Sequence, residues 1–583
     1  MTEPIMRYFE QELAFVRRSL GQFGQEYPTH AEKLNIHQGK IEDPSMARLL
    51  DGVALLNAKV EKKLSEQLPE VIEGILGVLY PSYIQTVPSV AYLELLAEDG
   101  PIESSTLPKG SLFSSSNTKN ECLFRTVDEL KISPFSLSNI KALSAPFSFN
   151  RPKSASQSNA VVQISLSTGD PETHFSHLEL NDLDFFVKGF ENNADSLVEL
   201  LLNNTLSISI SDSECAQHVT LDSHQLKNRI SDLEFKFLPE HGNQFTGYQL
   251  INEFFFFKEK RQFFRLKNFA QYASQFDESE IVINLFMSSL PSEFIRLFNK
   301  DVIKLNVMPA VNLFEQTGEP ISYDHRTLSV PVNADAHSDN NIEIIEIQDV
   351  YEITPNGEIP LVPLFKEKYT HNRRYDYWQS KHNHFGEMSI AISLSDTPTA
   401  EFSKLLGTRL LCTNGKQACG VSGTLECLES IDLPGDFSPI YPPSAPITKE
   451  VDQNVHWEFI SLLNTNFSSL VQSSNPVADL KHMLSLCSRE QVSSAEIQMI
   501  HSITFNSQVS AIRVLGKNVF SPGTEIELTL DATGPYLAFA DVLNRFFQQF
   551  CSFDRYIQLK IRIYGRDGIV KKYPKIHGSQ LCL

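Results

Sequence analysis

The sequence lacks the short motifs on which many cofactor and catalytic sites are built. It contains no Gly-x-Gly-x-x-Gly, no Gly-x-x-x-x-Gly-Lys-Ser/Thr, no His-Glu-x-x-His and no Gly-x-Ser-x-Gly. Phosphate loops, zinc-binding helices and nucleophile elbows need those spacings, because backbone N–H groups, imidazoles or a hydroxyl must converge on one point. Nucleotide binding is therefore unsupported, and we expect neither catalysis nor a bound cofactor.

Export and membrane signals are also missing. The first residues, MTEPIMRYFEQEL, are acidic and amphipathic, whereas a signal peptide needs a basic segment followed by an apolar one. The densest apolar run, residues 254–257, is far too short to cross a bilayer. These absences predict a cytoplasmic protein with no direct membrane insertion.

Cysteine and positive charge are both scarce. Eight cysteines in 583 residues make no disulfide scaffold and form no Cys-x-x-Cys pair. The closest group, Cys412, Cys419 and Cys427, fits no common zinc spacing, so we interpret them as buried or idle thiols. The 50 basic and 71 acidic residues give a net charge of -21, which repels phosphate backbones and anionic lipids. We therefore expect no nucleic-acid partner.

Two short patterns remain as candidates for chemistry. His382 and His384 would lie on one side of a strand and would share a cation, but no third ligand is spaced to join them, which favours a solvated loop. Asp324-His325 resembles a base oriented by a carboxylate, yet no nucleophile can be assigned to it. An enzyme is therefore a minority hypothesis.

What the chain does contain begins with a helical region of about ninety residues. A helix is predicted over residues 4–25, ending before Tyr27-Pro28, because its apolar positions alternate between spacings of four and three. These positions are Phe9, Leu13, Val16, Leu20 and Phe23. Asp43-Pro44 predicts the start of a second helix, with one apolar side. That side comprises Met46, Leu50, Val53, Val60 and Leu64.

A third helical segment from Pro69 to Tyr80 completes a predicted bundle. Three short helices with one apolar face each have little interior of their own. Another surface should therefore cover the stripe of the first helix. Later domains of the same chain and a partner protein are equally weighted candidates for that surface.

The middle of the chain reads as β structure. Strands are predicted over residues 90–96, 161–167, 205–211, 281–286 and 301–307, with a short helix over 194–202. Residues 161–167 and 205–211 alternate apolar and polar positions, which predicts half-buried strands. The aromatic segment 253–266 (EFFFFKEKRQFFRL) is interpreted as core, because large aromatic side chains are usually consumed in packing. A β-sandwich or barrel-like domain with a helical insert is expected.

Downstream, strands are predicted over residues 342–353, 388–394, 407–413, 503–514 and 524–530, with a turn at Pro355-Asn356-Gly357. The proline-dense residues 432–450 predict a linker. Helices are expected over residues 457–471, 477–487 and 537–550. The last helix carries an apolar stripe, from which Leu543 and Phe547 join Phe9, Leu13, Val16, Leu20 and Phe23 as candidate interface residues.

Several of these segments resemble one known family. The opening run 7–17 (RYFEQELAFVR), Asp43-Pro44, RLLDG at 48–52 and LYP at 79–81 look like the start of TssF, also called VasA or ImpG. The resemblance continues at NVMPAVNLFE (306–315), LLCTN (410–414), WEFISLL (457–463) and VLNRFF (542–547). It spans the whole chain, and its specificity lies in the order and spacing of these packing patterns.

The resemblance implies a structural subunit of the type VI secretion baseplate, docked at the inner membrane. In that family a pair of TssF chains joins one TssG to form a wedge, with TssK, TssE and the VgrG spike as neighbours. The alternative is a multidomain β-rich binding or carbohydrate-active protein.

For the fold, we expect a β-rich α+β protein of four domains. These are an N-terminal helical domain (1–90), a β-rich domain with a helical insert (91–315), a second β-rich domain ending in the linker (316–450) and a C-terminal α+β domain (451–583).

Overall fold

The computed structural model describes most of the chain. The described residues are 3–28, 36–37, 40–41, 44–65, 74–77, 80–97, 105–115, 121–178, 180–190, 193–239, 246–324, 326–327, 329–334, 342–364, 376–382, 387–394, 403–447, 457–461, 473–488, 494–514, 517–549, 551 and 555–578.

The described helices are α1 Glu3–Glu26, α2 Pro44–Ser65, α3 Pro81–Ile84, α4 Ala194–Asn203, α5 Thr246–Phe256, α6 Phe269–Ala273, α7 Ser292–Leu297, α8 Pro476–Ser488, α9 Ser494–Gln498 and α10 Tyr536–Gln549. Helical residues also occur at 74–77 and 457–461. The predicted helices at 4–25, 194–202, 477–487 and 537–550 are confirmed within a few residues, as is the one beginning at Pro44. The rest of the predicted segments 69–80 and 457–471 lies mostly outside the described residues.

The described strands are β1 Ile36–His37, β2 Lys40–Ile41, β3 Val90–Ala97, β4 Thr106–Leu107, β5 Leu112–Ser115, β6 Leu123–Thr126, β7 Leu130–Lys131, β8 Ser136–Ser144, β9 Ala160–Ser167, β10 Leu183–Val187, β11 Thr205–Asp212, β12 His218–Asp222, β13 Leu226–Asn228, β14 Phe263–Leu266, β15 Glu280–Met287, β16 Ile303–Lys304, β17 Val307–Val311, β18 Phe314–Thr317, β19 Ile321–Tyr323, β20 Val330–Pro331, β21 Glu343–Thr354, β22 Gly357–Pro360, β23 Val362–Pro363, β24 Tyr377–His382, β25 Met388–Ser393, β26 Lys404–Thr413, β27 Leu425–Cys427, β28 Gly435–Pro439, β29 Ile500–Val514, β30 Lys517–Leu530, β31 Tyr556–Ile563, β32 Lys571–Lys572 and β33 Ile576–His577. The predicted strands are confirmed, except that residues 301–307 are split between β16 and β17. Asn306 lies between them with φ of 54°, a left-handed conformation that interrupts a strand.

The chain forms two compact units. One comprises residues 1–77 and 450–460, and the other comprises residues 78–449 and 461–583. In the first unit α1 packs against α2, and β1 pairs with β2 in the connection between them. Within the described residues of this unit, α1 and α2 form a helical hairpin, and the predicted domain of residues 1–90 stays a prediction.

A closed barrel organises the larger unit. Its strand order is β17-β3-β28-β27-β5-β6, and its core contains Leu93, Phe113, Phe124, Met308 and Phe437. Strand β28 belongs to the proline-rich segment, so the linker prediction is wrong for that strand. The Pro439 end of β28 still pairs with Leu93 of β3. Because β27 and β28 close a sheet begun before residue 315, the structure does not divide the chain at 315.

The first insertion into the barrel spans residues 133–306 and forms a sandwich. A five-stranded sheet, β12-β11-β15-β9-β8, and a four-stranded sheet, β13-β14-β10-β16, share one core with α4. The insertion begins and ends at one hydrogen bond, since the Ser133 N–H donates to Asn306 Oδ1 at 2.8 Å. The sandwich interpretation of this region is confirmed.

The half-buried interpretation of β9 and β11 is wrong. Gln163 of β9, Asn284 of β15 and Ser211 of β11 lie on the sheet face away from the shared core, yet each is at most 3% exposed. Their side chains form a chain of hydrogen bonds, from Gln163 to Asn284 at 2.6 Å and from Asn284 to Ser211 at 2.9 Å. Polar residues in an alternating strand therefore mark a buried hydrogen-bonded face here, because paired polar groups tolerate burial.

The second insertion spans residues 312–414 and contains two sheets. Strands β18, β26, β21 and β22 form one sheet with β19, and β20, β25, β24 and β23 form the other. Two asparagines hold its entry and exit strands together. Asn312 Oδ1 accepts from Thr413 Oγ1 at 2.6 Å and from the Asn414 N–H at 2.8 Å, while Asn312 Nδ2 donates to the Leu123 carbonyl at 2.7 Å.

The C-terminal region is a sheet, β29-β30-β31-β32, with β33 beside β31 and α10 packed on it. Helix α10 also packs against α5, where the Phe254 and Phe539 rings lie 5.5 Å apart. Nearly every residue of α5 is buried. The aromatic segment is therefore core, as predicted.

Candidate assembly surfaces

The candidate interface residues of α1 lie on the side of the helix that is half-buried. Phe9, Leu13, Val16, Leu20 and Phe23 all have intermediate exposure. Helix α2 packs on α1, and Asn57 Nδ2 of α2 donates to Glu12 Oε2 of α1 at 3.4 Å. The chain's own second helix thus accounts for part of the cover that this stripe requires.

The apolar side of α2 differs from the predicted one. Val53 and Val60 were expected inside, but they are 39% and 59% exposed, whereas Ala54 and Ala58 are fully buried. Two alanines four residues apart lie on one face of a helix and let another backbone approach closely. The small residues therefore form the packed face, and the larger aliphatic residues point away from it.

We name this outward stripe the α2 seam. It consists of Leu49, Val53, Leu56 and Val60, which are 61%, 39%, 63% and 59% exposed. Their spacings of four, three and four residues match the a and d positions of a coiled coil, so the four side chains line one side of the helix. Leu55, which is 41% exposed, lies off the seam.

The exposed apolar area and the residue spacing of the α2 seam indicate what kind of surface would cover it. Burying an exposed Leu or Val side chain contributes roughly 1.5–3 kcal/mol, so an uncovered stripe of four is an unfavourable surface for a monomer. A heptad stripe is matched best by an apolar stripe on another helix, because knobs then fit into holes. The α2 seam therefore has the spacing of a helix-packing stripe.

The other two candidate interface residues belong to the core. Leu543 and Phe547 of α10 are both 0% exposed, and the neighbouring Phe546 ring lies 5.6 Å from the Tyr248 ring of α5. The interface prediction is therefore wrong for this pair. An amphipathic stripe has the same pattern whether it faces its own domain or a partner.

Buried ionisable groups in this unit have packing partners. Lys260 Nζ lies 2.6 Å from Glu253 Oε2, and both side chains are 1% exposed. The second oxygen, Glu253 Oε1, accepts from the N–H groups of Phe237 at 3.1 Å and Leu238 at 3.0 Å. Burial lowers the pKa of Lys260, which Glu253 opposes. Glu253 therefore connects the last turns of α5 to Lys260 after the helix and to residues 237–238 before it.

A second such group connects α4 to α10. Glu199 Oε1 accepts the N–H of Leu537 at 2.8 Å, near the start of α10. Burial raises the pKa of Glu199 to about 7, and the hydrogen bond from Leu537 opposes that rise.

The remaining sequence candidates for chemistry do not converge. Across the described ranges, no three His, Cys, Asp or Glu side chains are placed to hold a metal ion. His382 ends β24, while His384 and His325 lie outside the described residues. Asp324 Oδ1 accepts the Arg326 N–H at 3.2 Å, as in a turn. Burial raises the pKa of Cys412 to about 12, which keeps that thiol protonated.

No helix within the described part of the chain is both long enough and apolar enough to cross a membrane.

The combination of a barrel with two large insertions, a helical hairpin and an exposed heptad seam defines a class of protein. That class is the multidomain β-rich protein whose domains are inserted into a barrel.

Comparisons with known proteins specify the class. The sequence model of the family "Type VI secretion system, TssF" matches residues 1–580. The chain belongs to the TssF family, as the sequence resemblance predicted. It is 24% identical over 621 residues to "Type VI secretion system component TssF1" of Pseudomonas aeruginosa, with all of both chains covered.

Two solved structures share the fold. A chain of a TssK-TssF-TssG baseplate subcomplex of the type VI secretion system matches with a TM-score of 0.71 and 19% identity, over 92% of this chain and 99% of that one. A chain of the baseplate complex from the type VI secretion system matches with a TM-score of 0.57 and 18% identity, over 99% and 100%. The α+β, β-rich fold class predicted from the sequence is confirmed.

Proposed function

We propose that this chain is a structural subunit of the type VI secretion baseplate wedge and that the α2 seam joins it to a helical partner. Family membership supports the baseplate assignment. One of the similar chains occurs in a subcomplex that contains TssK and TssG, which makes these two the first partners to test. The observation that carries the role of the seam is its heptad of exposed aliphatic side chains.

We assign the seam to TssG. A coiled-coil seam needs a second apolar helix, and a wedge subunit needs a contact that survives mechanical load, which an extended row of knobs and holes provides. TssE, the VgrG spike and a second TssF copy are further proposed neighbours. The proposed location is the cytoplasmic baseplate at the inner membrane, where the wedges close around the spike and their rearrangement triggers sheath contraction.

The matched test changes α2 without changing the fold. Leu49→Asp with Leu56→Asp places two carboxylates on the seam, whereas Leu55→Asp places one on the same helix but off the seam. Each variant is co-expressed with TssG and TssK from the same organism, and co-purification and circular dichroism are measured.

The seam variant is expected to fold and to lose TssG capture by more than about a hundredfold, because two buried leucines contribute at least about 3 kcal/mol together. Leu55→Asp is expected to bind normally. Undiminished co-purification of the seam variant would assign the TssG contact to another surface.

We also propose that the chain has no catalytic activity and holds no cofactor. Metal analysis of the purified protein is the direct measurement, and stoichiometric zinc or iron would contradict the proposal. The alternative of a carbohydrate-active or binding protein predicts a concave site with paired carboxylates of separated pKa values.

A further inference from the structure

Strand β29 is a long edge of the C-terminal sheet. The strand order β29-β30-β31-β32 leaves one side of β29 without a neighbour among the described strands. Its 15 residues pair with β30 without a bulge from Ser502 to Val514. Within the described residues, 506–511 make no backbone-to-backbone hydrogen bond outside this pairing. Because alternate residues direct their N–H and C=O groups to opposite sides of a strand, the outer side of this segment is a row of donors and acceptors open to another strand.

Strand β29 lacks the features by which edge strands avoid pairing with other chains. Protected edges are short, or they carry charged residues, proline or a bulge. Residues 500–512 contain no Asp, Glu, Lys, Arg, Pro or Gly. The other strands at the ends of the described sheets do have such features. Strand β8 contains Lys141 and a bulge between Leu137 and Asn139, and the rest have five residues or fewer. Of these edges, β29 is the one best suited to accept an added strand.

One side of this edge is apolar and is followed by a cation. Val509 and Ala511 occupy alternate positions of β29, and strand alternation places Arg513 on the same side. Val509 is 66% exposed, and Ala511 is exposed as well. A strand beside this edge would bring its side chains next to those of β29, since neighbouring strands lie about 4.8 Å apart. The strand that fits best has apolar side chains beside Val509 and Ala511 and a carboxylate beside Arg513.

The charge of the C-terminal region also favours an acidic partner. The whole chain has a net charge of -21, but residues 497–583 contain 10 Lys and Arg against 6 Asp and Glu. Residues 497–524 contain no acidic residue. Arg555, Arg566 and Lys572 are exposed. A cationic region on an acidic chain attracts acidic segments of other proteins, whereas it repels the same region of a second copy.

We propose that residues 506–513 of β29 accept an added β-strand from another protein, an extended acidic segment with apolar side chains at alternate positions. Main-chain hydrogen bonds supply the affinity of such a contact, and the alternate side chains supply its specificity. The inference goes beyond the proposed TssG contact at the α2 seam. It concerns the other compact unit, and it uses the backbone of a sheet edge instead of a helix face.

The test uses the full chain and three fluorescein-labelled peptides. The peptide ETVTVTE has both features of the proposed partner, because its two valines and its two glutamates lie on the same side of an extended strand. KTVTVTK replaces the glutamates by lysines, and ETVPVTE has a central proline, which removes a backbone donor. Affinity is measured by fluorescence anisotropy, and hydrogen exchange of β29 identifies the site of binding.

Matched variants separate the two sides of the strand. Val509→Ser removes the apolar contact, and Asn506→Ser is the control at an exposed position on the other side. We expect saturating ETVTVTE to slow exchange within residues 506–513 at least about tenfold. Val509→Ser should weaken its binding about tenfold and Asn506→Ser should leave it unchanged. KTVTVTK should bind at least about tenfold more weakly, and Arg513→Gln should reduce that difference.

Several results would overturn the proposal. These are no binding of ETVTVTE at about 1 mM, equal binding of ETVPVTE or KTVTVTK, or an unchanged affinity of Val509→Ser. Dimer formation by the unmodified chain that Val509→Ser abolishes would also overturn it, because the edge would then belong to a second copy. Circular dichroism of each variant checks that the fold is kept, which is expected because both substituted side chains are exposed.

Discussion

Removing the positive charge of Lys260 tests the most deeply buried ion pair described in the chain. In Lys260→Met the Glu253 carboxyl would keep its hydrogen bonds from Phe237, Leu238 and Gln249 Nε2, the last at 3.1 Å, but would lose its countercharge at 2.6 Å. All of those remaining donors are neutral. The carboxylate must then stay charged without a partner or take up a proton.

The cost of taking up a proton sets an upper limit on the stability lost in Lys260→Met. Protonating a carboxyl with an ordinary pKa of about 4.3 at pH 7.5 costs about 4.4 kcal/mol, since each pKa unit corresponds to about 1.36 kcal/mol. Breaking a buried pair by deleting one partner costs about 3–5 kcal/mol, which agrees with that ceiling. We therefore expect a loss of about 3–4.4 kcal/mol at pH 7.5. The double variant Lys260→Met with Glu253→Gln should lose only about 1–2 kcal/mol, because no charge is left buried.

The loss in Lys260→Met should depend on pH in a defined direction. Protonating an ordinary carboxyl costs less as the pH falls, so the upper limit on the loss falls with it. The destabilisation should then be large at pH 7.5 and fall to about 1.6 kcal/mol at pH 5.5.

Native-state hydrogen exchange of peptides containing residues 237–238 is the suitable assay, because a chain of this size does not unfold in two states. At pH 7.5 we expect their exchange, corrected for intrinsic rates, to accelerate by about two to three orders of magnitude. Exchange of Lys260→Met at the rate of the unmodified chain would contradict this expectation. A loss that is unchanged at pH 5.5, or a double variant no more stable than the single one, would contradict it as well.

Three further predictions concern other parts of the larger unit. Because the pKa of Glu199 is raised to about 7, its protonation stabilises the fold below its unfolded pKa, and that stability is lost as pH rises through 7. Glu199→Gln should therefore show a smaller difference in melting temperature between pH 6 and pH 8 than the unmodified chain, and an equal difference would contradict the assignment. Asn312→Ala removes the side-chain bonds at the neck of the second insertion and should lower its stability by about 3 kcal/mol, seen as faster proteolysis within residues 312–414. Asn333→Ala, at an exposed position of the same insertion, should leave that rate unchanged. A Cβ on Gly407 would lie 2.5 Å from the Tyr351 ring, so Gly407→Val should cost about 1–3 kcal/mol by displacing it, measured as a lower melting temperature.

The spacing of apolar residues was sufficient to predict an element wherever that element follows a single repeat period. The alternating four- and three-residue steps from Phe9 to Phe23 predict α1, and the steps along residues 537–550 predict α10, because helical faces repeat every 3.6 residues. Stop and cap signals add the boundaries, since Pro28 follows the end of α1 and Pro44 begins α2. The family could be identified from the order of such patterns along the chain.

Which face meets which neighbour was decided only by the tertiary structure. On α2 the small residues Ala54 and Ala58 are packed, and Val53 and Val60 are exposed, because close approach to α1 favours small side chains over large ones. On α10 the large residues are buried instead, since the chain itself covers Leu543 and Phe547. Periodicity shows which residues share one face of a helix, but it contains no information on which part of the protein or which partner packs against that face.

The barrel shows most clearly that local sequence patterns do not determine which distant strands pair. Its strands come from residues 90–97, 112–126, 307–311 and 425–439, and pairs such as Leu93↔Met308 and Phe437↔Leu95 join positions hundreds of residues apart. The proline-rich segment predicted a linker, because proline removes a backbone donor and weakens a strand. The composition and periodicity of the sequence therefore determined a β-rich chain that begins with helices. Pairing between strands far apart in the sequence decided that residues 435–439 close a barrel and that both large domains are inserted into it.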